Sequence, residues 1–381
     1  MATKIEQVES IRVGDSYLVR IHTESGLTGL GQTACWGFPE AVQQIVERFA
    51  SYLVGQDPFR IEHHWQANYR TGPFRGSALS GAVSAVDIAL WDIKGKHFQA
   101  PVWELMGGRC RDRVRLHLLM EGGDTPDEVA AHARAAAEEG FTAVKFDPLP
   151  GGYQNRTHAR QISSVRDLVA AAREAVGDDV DLILEIHRKL TPLVAVPLAE
   201  AVAEFRPLFY EDPIQIDSIV SQAEVARRIS IPVANGERLH SIWEFRELLV
   251  CGGPQYVRPD VGLAGGLTHC KKIAAIAESF HCAVVTHNFL GPVLTAASVH
   301  LDTCIPNFVT QEYTRQDEAP ANALYRTAFK RAGGFLSVPE APGLGIDLDA
   351  AALAQAQASA PAEPPSREPL LRSDGSVACS V

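Results

Sequence analysis

The sequence predicts an α/β protein, a (β/α)7-8 barrel of the modified TIM barrel kind carrying an N-terminal α+β capping domain. Three observations predict it. Residues from about Ile11 to Gly31 alternate in strand fashion around a Glu24-Ser25-Gly26 turn, which is an antiparallel beginning. From about Val114 the texture changes to short apolar segments separated by helical patterns, the rhythm of parallel β/α units. Charged residues then recur where those segments run out, although a buried barrel strand should be apolar.

Taken in order, the antiparallel start leads into helical stretches. The clearest spans Ser77 to Phe98, with Ala82, Val86, Ala89, Leu90 and Ile93 as an apolar stripe at helical spacing. Residues 1–113 therefore form the capping domain. Residues 114–313 form the barrel, with strands expected at RLHLLM, TAVKFDP, DLILEIH, PLFYEDP, IPVANGE, QYVRPDVG, AVVTHNF and NFVTQEY. Helical patterns lie between them, such as Ile162, Val165, Val169, Ala172 and Val176 before Gly177. Residues 314–350, which include the turn-rich run Gly333 to Asp349, are expected to pack back on the capping domain. Residues 351–381, rich in Ala, Pro and Ser, read as a helical end followed by a flexible C-terminal tail.

Composition narrows the function classes. At 381 residues the chain has room for two domains and a sizeable core, and 46% hydrophobic with 21% charged residues is globular usage. A net charge of -11 and a pI near 5.6 argue against nucleic acid or an anionic membrane as partner, so an anionic substrate must meet a local positive site. The seven cysteines are scattered without a C-x-x-C pair and read as reduced thiols. The N-terminus carries charges where a signal peptide needs an apolar run, and no later stretch is long and apolar enough to span a bilayer; the expected location is cytoplasmic.

The charged strand ends carry the chemistry. Glu185, Glu211 and Glu237 follow one another at steps of 26 residues, one β/α unit each. Adjacent strand ends lie side by side in a parallel barrel, so the three carboxylates converge and would repel unless a hard cation joins them; oxygen ligands suit Mg²⁺. The competing reading pairs each Glu with a cation such as Arg188 or Arg238. Asp260, His287 and Glu312 continue the series, with steps of 27 and 25 residues between the latter pairs. An Asp beside a His orients the imidazole and strengthens it as a base, and a protonated Glu312 would donate a hydrogen bond to a developing enolate oxygen. His187 lies two residues after Glu185, and strand alternation would put both on one face, where the imidazole either protonates a leaving hydroxyl or supports a ligand carboxylate. Lys145 supplies positive charge for a substrate carboxylate or pairs with Asp147.

These residues together resemble the enolase superfamily, specifically its mandelate racemase subgroup, from the N-terminal unit to about Asp349. The motifs LILEIHRKLTP, PLFYEDPI, VANGERL, VRPDVGLAGGLTHCKKIAAIAE, VVTHNFLGP and VTQEY occur in the order and spacing the subgroup shows at its third to eighth strands. The resemblance implies Glu185, Glu211 and Glu237 as Mg²⁺ ligands, His287 with Asp260 as the base dyad, and Glu312 as the electrophile at the substrate carboxylate. It also implies a symmetric homo-oligomer. The second-strand match reads Lys145-Phe146-Asp147 where mandelate racemase has a second lysine as base, and E-x-H at the third strand is similar to the D-x-H of galactonate and mannonate dehydratases. Both details point to dehydration of a sugar acid to a 2-keto-3-deoxy acid, with His187 as the acid. The alternatives are a racemase or epimerase of a 2-hydroxy or amino acid derivative, a zinc or binuclear hydrolase, for which the ligand set is too poor in His, and a non-catalytic relative acting in binding or assembly. The loop Thr33 to Glu40 is expected over the barrel mouth, where Trp36 and Phe38 either exclude water or pack at the domain interface.

Overall fold

The computed structural model describes residues 3–13, 16–315, 321–327, 329–358 and 368–379. The chain opens on three antiparallel strands, β1 (Ile5–Val13), β2 (Ser16–Thr23) and β3 (Thr28–Gln32), followed by helices α1 (Pro39–Leu53), α2 (Ile61–Arg70), α3 (Ser77–Phe98) and the single turn α4 (Val102–Leu105). The sheet lies hard against α3. A Cβ on Gly29 or Gly31 would come within 2.0 or 1.9 Å of the carbonyl oxygens of Ala89 and Ala85, so only glycine permits that approach. The expected single stripe on α3 understates its burial. Ser80, Ser84, Asp87 and Asp92 are buried as well, because β3, α1, α2 and a barrel helix cover the helix from several sides. Asp92 is satisfied there by Leu30 N and Leu344 N and by the Lys96 ammonium, at 2.9, 2.8 and 2.8 Å.

Eight parallel strands then close a barrel: β4 (Arg113–Leu119), β5 (Ala143–Phe146), β6 (Asp181–Glu185), β7 (Phe209–Glu211), β8 (Val233–Asn235), β9 (Tyr256–Val257), β10 (Ala283–Thr286) and β11 (Phe308–Tyr313). Each pairs with its sequence neighbour and β11 returns to β4, with Glu312 opposite His117. Helices α5 (Pro126–Glu138), α6 (His158–Val176), α7 (Pro192–Val202), α8 (Ile219–Arg228), α9 (Ile242–Val250), α10 (Gly266–Ser279) and α11 (Pro292–Cys304) fill the seven connections. Starts are set locally: Thr125 and Glu128 form a capping box at α5, and Ser241 caps α9. The strands are shorter than the apolar segments implied, since the chain bends away at the mouth before the motifs end.

The interior of the barrel is a separate small core of Ala143, Ile183, Phe209, Ala234 and Val285. Strand alternation then fixes what lies above it. Two residues beyond Ala143, Ile183, Phe209 and Val285 come Lys145, Glu185, Glu211 and His287, all on the inward face and one layer nearer the mouth.

After β11 the chain runs beneath the barrel. Strands β12 (Tyr325–Thr327) and β15 (Ile346–Leu348) pair with each other, and the hairpin β13 (Arg331–Ala332)–β14 (Phe335–Ser337) adds antiparallel to β4. Gly343 exchanges backbone hydrogen bonds with Ala100 and Val102 at 3.0 and 3.1 Å. The helical end expected after residue 350 corresponds to α12 (Ala350–Ala358), and residues 368–379 form a turn hydrogen-bonded to Tyr153, Gln154 and Asn155; the remainder of the stretch expected to be a flexible tail lies outside the described residues. All seven cysteines are unpaired, and among the described residues no helix is long and apolar enough to cross a membrane.

Candidate active site

The mouth of the barrel gathers the charged strand ends. Glu185 and Glu211 are register partners on β6 and β7. Glu237 lies two residues past β8, delivered by Gly236 at φ 128°, where a Cβ would meet the Phe245 ring at 2.6 Å. One carboxylate oxygen from each lies within 4.8 Å of the others, and all three side chains are buried. Glu211 Oε2 is buried with no hydrogen-bond donor, and burial, joined by the charge of Glu185, pushes the Glu211 carboxyl well above its usual range. An all-carboxylate set with an unsatisfied oxygen fits a hard divalent cation.

Cations also surround the triad, so the competing reading of paired glutamates is met in part. Lys145 Nζ lies 2.9 Å from Glu185, 3.1 Å from Glu211 and 2.5 Å from Glu312. Burial and Arg258 oppose its charge, but the three glutamates outweigh them and hold it above its usual value. Lys145 therefore meets glutamates, not Asp147. Arg188 Nη1 bridges Glu237 at 2.5 Å and Asp212 at 2.9 Å, and Arg238 Nε is 3.3 Å from Glu237.

Arg258, fully buried beside β9, makes ion pairs to Glu211 at 2.6 Å and Glu312 at 2.7 Å. The sequence reading missed it, although a charge in a barrel strand was the signal that found the others. Its ion pair to Glu312 runs against the expectation that this carboxyl is protonated. Burial would raise that carboxyl, but Lys145 and Arg258 hold it well below the usual range.

Two histidines face this floor from different strands. His287 follows β10, with Nδ1 2.6 Å from Asp260 Oδ2; Asp260 also accepts Gly262 N at 2.7 Å, and the two backbones form a parallel bridge. His287 Nε2 is 3.5 Å from Glu237 and 3.8 Å from Glu312. Burial disfavours the imidazolium, but Glu237, Glu312 and Asp260 together raise its pKa above the ordinary value. His187 reaches the site differently from the strand alternation expected. β6 stops at Glu185, and His187 and Arg188 adopt positive φ of 53° and 62° in a turn, because Glu185 Oε1 accepts His187 N at 2.8 Å and folds the chain over itself. Its Nδ1 is 3.1 Å from Asp147 Oδ2, which also takes the Lys189 ammonium.

Between the histidines lies a cavity of about 280 Å³. Lys145, Glu185, Glu237 and Glu312 form its floor, and Trp36, Leu119, Phe289 and Leu290 line its apolar side. Trp36 meets Phe289 edge-on at 6.0 Å and lies under Arg238 at 5.6 Å. Phe38 does not line the cavity and is 71% exposed. The loop expected over the mouth thus contributes one aromatic to it. Ala34 N donates to Gly262 O at 2.9 Å, which ties that loop to the segment after Asp260.

Comparison with known proteins agrees with this geometry. Residues 7–107 match the family model described as the mandelate racemase / muconate lactonizing enzyme N-terminal domain, and residues 128–352 match the one described as enolase C-terminal domain-like. The chain is 36% identical over 387 aligned positions, 98% of its length and 99% of the relative's, to the D-galactonate dehydratase of Ralstonia nicotianae. Among solved structures, an enolase from Agrobacterium radiobacter with sodium and L-malate bound superposes with a TM-score of 0.91 at 28% identity, covering 99% of this chain and 100% of that one. A mandelate racemase/muconate lactonizing enzyme from Jannaschia gives 0.88 at 33% identity, covering 95% and 99%.

Proposed function

The chain belongs to the mandelate racemase / muconate lactonizing enzyme family of the enolase superfamily, and from that premise we propose that it is a Mg²⁺-dependent sugar acid dehydratase. The observation that carries the reading is a base and an acid on opposite walls of one cavity, above a carboxylate triad. Glu185, Glu211 and Glu237 would hold Mg²⁺. When bound, the ion supplies positive charge that stabilises the negative charge developing on the substrate carboxylate.

The residues of the chain do the rest. Asp260 holds Nδ1 of His287, so Nε2 takes the C2 proton. Lys145, beside the cavity floor, adds positive charge where the enediolate forms, and Glu312 lies at the same carboxylate. With Lys145 and Arg258 lowering its pKa, Glu312 donates only if it takes up a proton when substrate arrives. His187 gives a proton to the 3-hydroxyl, the C3–O bond breaks and water leaves. The enol then tautomerises to a 2-keto-3-deoxy acid. Trp36 and Phe289 keep bulk water from the reacting carbons.

A racemase using His187 as a second base is the one rival with geometry in its favour, since both imidazoles line the cavity. Proton NMR in D₂O with Mg²⁺, D-galactonate and a panel of other 2-hydroxy acids, with an EDTA control, separates the two. Metal-dependent formation of a 2-keto-3-deoxy product supports the dehydratase. Exchange of the C2 proton with inversion and no elimination would replace it with the racemase.

A further inference from the structure

The two histidines of the cavity share one arrangement: each has Nδ1 against a carboxylate. For His287 the partner is Asp260, which the sequence series already included. For His187 it is Asp147, the residue after β5, which the reaction as described leaves without a task. Asp147 is fixed from several directions. Its Oδ1 accepts Leu149 N at 2.9 Å, and its Oδ2 takes the Lys189 ammonium beside His187 Nδ1. The backbone of His187 is held by Glu185, but its side chain is about a quarter exposed, so packing alone does not fix the ring. Without Asp147 the ring could turn about χ1 and χ2, and Nε2 would no longer be aimed at the cavity.

The same loop is gripped from the far end of the chain. Lys189 Nζ lies 5.7 Å from the centre of the Tyr153 ring, which is buried. The Tyr153 hydroxyl donates to Cys379 O at 2.8 Å, Gln154 Nε2 donates to Leu371 O at 3.3 Å, and Asn155 Oδ1 accepts Ser373 N at 2.8 Å. The C-terminal partner is itself a formed turn: Leu371 bridges Val377, and Ala378 N donates to Leu370 O at 2.8 Å. Three consecutive residues of the loop thus hold one compact segment.

We propose that Asp147 is the positioning residue of His187 and that the C-terminal turn 368–379 braces the loop that carries it, so that the end of the chain governs departure of the leaving hydroxyl and not removal of the C2 proton. The proposal rests on the dehydratase reading above, with His287 as base and His187 as acid. It makes a specific claim about partition: C–H cleavage continues, but fewer of the carbanionic intermediates go on to product.

The test measures total C2–H cleavage in D₂O, taken as product plus deuterium in recovered substrate, alongside product formation alone, in the Mg²⁺-loaded full-length enzyme and its variants. Asp147→Asn should leave total cleavage within about twofold while product formation falls about 10- to 100-fold, and Asp147→Glu should recover part of the loss. Tyr153→Phe and a chain ending at Arg367 should shift the partition in the same direction by a smaller factor. Equal loss of both rates, or no loss of product, in Asp147→Asn would overturn the positioning role. Unchanged partition in the shortened chain would overturn the brace. Amide hydrogen exchange of residues 147–155 needs no substrate: faster exchange in the shortened chain supports the brace, and identical protection refutes it. A wild-type enzyme that exchanges the C2 proton without ever eliminating would instead sink the dehydratase reading.

Discussion

His287 and His187 stand just past β10 and β6, four strands apart in a closed ring of eight, and so on opposite walls of the cavity. The His287 wall is core. The histidine, Asp260, Arg258 and Glu312 are all at most 5% exposed, and the dyad is bridged through its backbone as well as its side chains. The His187 wall is made of turns, with its carboxylate and Tyr153 on one loop and Lys189 against both. Removing a proton next to a carboxylate is the demanding step and needs a base and charges that do not move. Expelling a hydroxyl depends on where the substrate carries it, and a wall of loops can be altered without disturbing His287 and its partners.

That contrast is broken or sharpened by four experiments. The largest effect belongs to His287→Asn, which should cut both C2 exchange and elimination on the order of 10³-fold while Mg²⁺ affinity, read by calorimetry, stays unchanged. His187→Asn should cost elimination about 10²-fold and spare exchange; loss of exchange to the same degree would make the two walls equivalent. On stability, Arg258→Ala removes one of the two cations that pair Glu211 and Glu312 in the interior, leaving Lys145, and should cost about 3 kcal/mol in urea unfolding, whereas Lys189→Ala on the loop wall should cost about 1 kcal/mol or less. The smallest effect is a pH dependence. The raised pKa of His287 means that its contribution to stability is complete below its unfolded value near 6.5 and is lost as pH rises through the folded value. The Tm of EDTA-treated protein should therefore fall across that window more than the Tm of the His287→Asn variant does.

The His287 wall was far more legible in the sequence than the His187 wall, for the same physical reason. A charge at the end of an apolar strand is costly, so Glu185, Glu211, Glu237, Asp260, His287 and Glu312 stand out at the β/α repeat. Arg258 sat in the same series and was passed over, because it neutralises the carboxylates and does not add to them. His187 was found by an alternation that the structure does not keep, since β6 ends before it. The docking of residues 368–379 left no trace in composition, because Cys379, Leu371 and Ser373 are held through their backbone atoms, which every residue shares. The role of Trp36 needed the fold as well, for contacts far apart in sequence, such as the hydrogen bond from Ala34 to Gly262 and the ring contact with Phe289, bring its loop to the mouth.

That bond from Ala34 to Gly262 has a consequence for the order in which the molecule can be made. At translation rates of about 5–20 residues per second, roughly 230 further residues take something like 10 to 50 s to synthesise. Throughout that time the loop after β3 lacks its partner at Gly262, and the face of α3 that meets α10 waits for that helix. The nascent N-terminal unit thus spends its early life with an uncovered surface. The residues that complete the cavity come together only near the end of synthesis.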